Sequence, residues 1–125
     1  MKRRGVLALP LLLAGCGGGL YVEFGPDDDP PSVSLAAGAT SAAPGQAVRL
    51  AAAASDDDFV VEVRFYRVEP GGSTVFLGSD DRPPYDWDAV IPGAAVRGST
   101  YRFFARAVDS AGQARDSDSV AVTVS

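Results

Sequence analysis

From residue 32 to the end of the chain, apolar and polar residues alternate with period two. Clusters of glycine, proline, aspartate or serine break the pattern about every 8 to 12 positions, the signature of an antiparallel β-sandwich. The alternating runs fall at 33–37, 47–54, 60–68, 74–78, 85–91, 100–108 and 118–124. No segment sustains a helical period. The alanines at 51–54 are ambiguous alone, but Val48 and Leu50 alternate with Arg49 before them, which favours a strand. "PGGS" at 70–73 and "DSAG" at 109–112 supply turns in which glycine takes up positive φ. Alternation also assigns faces. Val48, Leu50, Ala52, Val61, Val63, Phe65, Val75, Leu77, Tyr85, Trp87, Ala89, Tyr101, Phe103, Ala105, Ala107, Val120, Val122 and Val124 are expected to point inward as core.

The chain before residue 32 has another character. Lys2, Arg3 and Arg4 precede an apolar run from Val6 to Leu13, with small residues after it. This is the layout of a secretory signal, too short to span a bilayer. Leu13-Ala14-Gly15-Cys16 resembles the lipobox of bacterial lipoproteins. That resemblance implies cleavage after Gly15, a diacylglyceryl group on the Cys16 thiol and acylation of the new amine. Several acyl chains anchor a protein stably where one would not. Gly17 rather than aspartate follows the cysteine, which in that family points to the outer rather than the inner membrane of a Gram-negative host. The expected organisation is therefore a signal peptide at 1–15, a lipidated tether at 16–31 and one domain at 32–125. Glycines, Asp27 to Asp29 and Pro30-Pro31 give the tether its composition, with Leu20 to Phe24 as an apolar interruption.

Beyond residue 15 the chain carries eight arginines, no lysine and 16 acidic residues, a formal charge of −8. Such a chain repels nucleic acid, and no nucleic-acid partner is expected. There is no histidine and a single cysteine, so Ser-His-Asp and Cys-His chemistry and the usual zinc sites have no ligands or bases to use. No phosphate-binding GxxxxGK[ST] loop is present. Carboxylate-pair hydrolysis would need a deep cleft that a sandwich of this size rarely supplies. A non-enzyme is expected.

"VRFYRV" at 63–68, "FLGSDDRPPYDW" at 76–87 and "TYRFFARAVDSAGQ" at 100–113 together resemble bacterial immunoglobulin-like domains, modules of secreted and cell-surface proteins. The resemblance covers residues 32–125. It implies an immunoglobulin-like sandwich of about seven strands, Tyr101 in the place of a tyrosine corner and Phe103 where antibody domains carry a disulfide cysteine. It also implies binding, spacing or assembly, and that inference is an analogy of fold.

Two sets of residues stand out. In such a fold the runs at 60–68 and 100–108 are neighbours, so Arg64, Tyr66, Phe76, Arg102, Phe104 and Arg106 are expected to share one outward face. Arginine and aromatics are what interface centres favour, and they also stabilise a sheet surface by stacking. Both readings stand at this stage. The second set is acidic: Asp56, Asp57, Asp58 and Asp109, with the aspartates at 27–29 and 80–81, should gather at one pole. Clustered carboxylates there serve either as solvated loops or as a calcium site, calcium being the single cofactor considered. The expected role is a membrane-anchored, non-catalytic binding or scaffolding lipoprotein of the cell envelope, with an envelope protein or polysaccharide as partner. A carbohydrate-binding accessory module is the second reading.

Overall fold

The computed structural model describes residues 30–56 and 59–125, and it is a two-sheet β-sandwich with no helix among those residues. Among the described residues nine strands follow one another: β1 (Ser32–Ala37), β2 (Ser41–Ala42), β3 (Ala47–Ser55), β4 (Val60–Val68), β5 (Thr74–Asp80), β6 (Tyr85–Val90), β7 (Thr100–Asp109), β8 (Ala114–Asp116) and β9 (Val120–Val124). One sheet has the order β1-β3-β6; the other runs β2-β9-β7-β4-β5, with β8 also paired to β7. All seven expected runs are strands. Two short strands, β2 and β8, were not foreseen, and the last strand starts at Val120 rather than 118.

The chain changes sheets soon after its first described strand. β1 pairs antiparallel with β3, and after residues 38–40 strand β2 pairs parallel with β9. Thr40 O accepts from Thr123 N, and Ala42 O accepts from Ser125 N, both at 2.9 Å. These bonds tie the first strands to the last.

The core lies between the inward rows of the two sheets. Phe65, Phe103, Leu50 and Ile91 are its largest fully buried side chains, joined by Val48, Val63, Val122, Val124 and several alanines. Each such large apolar side chain contributes about 1.5–3 kcal/mol when buried. Most of the expected inward list is correct, with informative exceptions. Val61 is 42% exposed. The β4–β7 register shifts between Val60 and Glu62, so Val61 is an extra residue in a bulge and its side chain points out. Val60 takes its place against the core. Val75 is only half-buried and stands outside the core cluster.

A second irregularity sits on β5. Phe65 pairs with Gly78 and Tyr66 with Phe76, leaving Leu77 as the extra residue. Leu77 still packs against the core. Trp87, from the facing sheet, lies over Gly78 and stacks on Phe65 with ring centroids 6.0 Å apart. A Cβ at position 78 would sit 2.5 Å from Trp87 Cζ2 and 2.9 Å from Cζ3, so no side chain fits there.

Strand directions sort the connections into two poles. Ser32, Ser55, Val60, Asp80, Tyr85 and Asp109 lie at one end; Val68, Thr74, Val90, Thr100 and Val124 lie at the other. The first pole thus holds Asp56, Asp80, Asp81 and Asp109, as expected. Asp27, Asp28, Asp29, Asp57 and Asp58 lie outside the described residues.

Candidate functional site

The outer face of the larger sheet is built by cross-strand register. On β4 and β7, Arg64 stands opposite Arg106, Tyr66 opposite Phe104, and Val68 opposite Arg102. On β5, Phe76 stands opposite Tyr66. The six expected residues therefore occupy one face in three adjacent rows. Phe76, Tyr66 and Phe104 form the middle row, Arg64 and Arg106 flank it on the side of the acidic pole, and Arg102 flanks it on the other.

Within this face the side chains are not equivalent. Tyr66 and Phe104 stack at 4.9 Å with ring planes only 11° apart, while Phe76 meets Tyr66 at 5.5 Å and 53°. The Arg106 guanidinium carbon lies 5.0 Å from the Tyr66 centroid, and Nη1 donates to the Tyr66 hydroxyl at 3.4 Å. Arg106 also grips Asp116 on β8 with two hydrogen bonds, Nε to Oδ1 at 2.6 Å and Nη2 to Oδ2 at 3.1 Å. Those bonds raise the Arg106 pKa above its usual value. Arg64 donates from Nε to Glu62 Oε2 at 2.5 Å, and that bond raises its pKa likewise. Four of the six residues are thus satisfied within the chain. Two are not: Phe76 is 55% exposed, and Arg102 is exposed with no ion pair among the described residues.

The stacking has a chemical consequence. Each of Tyr66 and Phe104 turns a ring face to the other, so the row does not offer three coplanar faces to a flat sugar polymer. It offers one exposed phenyl, one arginine with free donors, and a rigid floor between them.

The acidic pole is organised differently. Asp109 is 2% exposed. Its Oδ1 accepts from Ala111 N at 3.0 Å and Gln113 N at 2.8 Å, closing the turn between β7 and β8. Its Oδ2 is buried without a hydrogen-bond partner among the described residues. Asp80 spends both oxygens on the backbone, accepting from Arg82 N and Asp86 N, each at 3.2 Å. These carboxylates hold turns. No group of three acidic residues of metal-binding size occurs among the described residues. Asp57 and Asp58, half of the expected calcium set, lie outside them, as does Cys16.

Sequence reasoning missed Arg67 and Asp116. Arg67 continues the inward row after Phe65, with a side chain only 17% exposed. It caps the core at the far pole: its guanidinium lies 5.8 Å from the Tyr101 centroid, Nε donates to Glu69 Oε2 at 2.5 Å, and Nη1 reaches Val90 O at 3.4 Å. Period two alone would have found it, because an arginine can bury its stem and keep its head at the rim. Asp116 had no signal, since "ARD" at 114–116 is too short to show a period.

No family model matches the sequence, and no curated protein matches it. Solved structures do. Fibronectin(III)-like modules of Clostridium thermocellum CbhA align at a TM-score of 0.57 and 27% identity, covering 74% of this chain and 94% of theirs. The fold is that of an immunoglobulin-like β-sandwich. A myokine structure aligns at a TM-score of 0.58, covering 78% of this chain and 100% of its own, at 11% identity, a likeness of fold alone.

Proposed function

We propose that this chain is a lipoprotein of the cell envelope, anchored through Cys16, whose sandwich is a non-catalytic module that docks another envelope protein on the outer face of its larger sheet. The observation that supports this reading most is the division of labour on that face. A self-satisfied floor of Arg64, Tyr66, Phe104 and Arg106 holds Phe76 and Arg102 outward, an arginine and an aromatic offered together on an otherwise acidic chain. Such pairs anchor interfaces, and their rigidity lowers the entropy lost on docking. The likeness to fibronectin(III)-like modules suits a part that binds or spaces rather than catalyses. A polysaccharide is the weaker partner, because on this face, among the described residues, only Phe76 presents a free ring face.

The anchor and the face are tested separately. Labelling cells with a fatty-acid probe should mark the wild-type chain and leave Cys16→Ala unlabelled and released from membranes; a labelled Cys16→Ala chain refutes the anchor. For the face, Phe76→Ser with Arg102→Ser removes the two outward groups and leaves the stacked floor in place. A purified envelope partner should lose about tenfold or more in affinity, the loss of two interface anchors. Unchanged affinity, or equal loss of a glycan ligand on an array, refutes protein docking at this face.

A further inference from the structure

We propose that the gap where β3 and β6 part, at the acidic pole, is a binding site for a lysine side chain of a different polypeptide. The two strands pair without a break from Ala47 and Val90 to Ala52 and Tyr85, and there the ladder stops. The residues beyond explain why. Continued in the same register, Ala54 would stand opposite Pro83 and Asp56 opposite Asp81. Proline has no N–H for a ladder, and like charges directly opposite each other repel. β3 runs on to Ser55 while β6 begins only at Tyr85, so the sheet is open between them.

The opening is a cavity of about 340 Å³ that combines two chemistries. Val60, Pro83 and Tyr85 give it an apolar side, together with Phe59, which is 72% exposed. Asp56 and Asp81 give it negative charge, and no basic residue lines it. Asp81 is exposed and makes no hydrogen bond or ion pair among the described residues. A third acceptor comes from the backbone. Carbonyl groups along a strand point alternately to its two neighbours. Arg49 O accepts from Gly38 N on the β1 side, and Gln46 O accepts from Ile91 N on the β6 side. Ala54 falls in step with Gln46, so its carbonyl points to the β6 side, where Pro83 has no N–H to give it.

These features select the ligand. The alkyl stem of a lysine is covered by the apolar side while its charged head stays at the rim. That head carries three donors and no acceptor, which matches two carboxylates and one carbonyl. An ammonium group near the exposed phenyl ring gains a cation–π attraction as well. Calcium is served less well, because it takes six to eight oxygens and no group of three acidic residues of metal-binding size occurs among the described residues. Residues 16–125 contain no lysine, so a second copy of the domain cannot supply the group. The site shares no residue with the outer face of the larger sheet, and the inference does not rest on the docking proposed there.

The test is an NMR titration of the full chain in detergent with a blocked tripeptide that has lysine at its centre. The peptide should move the amide resonances of Ala54, Phe59 and Tyr85. The same peptide with its side-chain amine acetylated should bind at least about tenfold more weakly, since the charge-assisted bonds are lost. Asp81→Asn should weaken the lysine peptide by about tenfold, the loss of one bond to a charged group. Position 81 is exposed, and a melting curve checks that the variant is folded. Phe76→Ser with Arg102→Ser should leave the binding as it is. Resonances that stay in place with the lysine peptide overturn the proposal. So does equal binding of the acetylated peptide, of an arginine counterpart, or of the lysine peptide to Asp81→Asn. Movement of the same resonances by calcium alone at about 1 mM also overturns it, because the gap is then a metal site.

Discussion

Gly78→Ala should be among the most damaging single-methyl additions in this domain. Elsewhere in a strand, alanine for glycine stabilises, because glycine weakens strands and loses more chain entropy on folding. Here the new Cβ would meet Trp87 Cζ2 at 2.5 Å and Cζ3 at 2.9 Å, where carbon atoms pack at about 3.5–4.0 Å. The indole must retreat by about 1 Å or β5 must lift from the sheet. Either movement disturbs the stack on Phe65, which is fully buried. Overpacking of this kind costs about 1–3 kcal/mol, and a rigid ring facing backbone puts the cost in the upper half of that range. For a domain of this size the melting temperature should fall by about 10–20 °C. Trp87 is the only tryptophan in the chain, so its fluorescence follows both unfolding and the displacement itself. The decisive comparison is a cycle with Trp87→Leu, which removes the ring atoms in conflict. In that background Gly78→Ala should keep only the cost of its positive φ of 159°, and the difference between the two backgrounds, about 1–2 kcal/mol, is the steric coupling. Equal costs of Gly78→Ala in the two backgrounds would refute the steric reasoning.

Three further substitutions probe other parts of the sandwich. Phe103→Ala, at a fully buried position, should cost about 3–5 kcal/mol in chemical denaturation through lost transfer energy and a cavity. Tyr101→Phe should cost less than about 0.5 kcal/mol, because the hydroxyl makes no hydrogen bond among the described residues and the ring keeps its contact with Arg67; a loss above about 1 kcal/mol would reveal a tyrosine-corner bond. Asp109→Ala removes the acceptor for Ala111 N and Gln113 N and should cost about 2–3 kcal/mol, with faster hydrogen exchange confined to residues 110–114.

The strands and their faces were readable because burial on one side of a sheet imposes period two on the sequence. That period places Arg64, Tyr66, Phe76, Arg102, Phe104 and Arg106 on one outer face. It failed where the backbone inserts a residue. "VVEV" at 60–63 gives no sign that Val61 is the extra member, since Val60 and Val61 are equally apolar. Nothing in the sequence around Gly78 announces its role, because its reason is a tryptophan nine residues away on the opposite sheet. The division of the face into satisfied and free residues was equally invisible: it depends on Glu62 and Asp116, and Asp116 sits on a strand too short to announce itself. Asp109 looked like a member of an acidic cluster and is a turn fastener instead.

The tie between the first and last strands decides how this domain meets mechanical force. Tension applied through residue 30 pulls from one pole, and tension at Ser125 pulls from the other. β1 would have to slide along β3 through six registered pairs, and β2 along β9 against the bonds at Thr40 and Ala42. Those bonds lie across the load and are sheared together, as in a lap joint. A sandwich whose end strands left from the same pole would peel open one bond at a time. This sandwich, with its end strands leaving from opposite poles, transmits a pull between residue 30 and Ser125 without giving way.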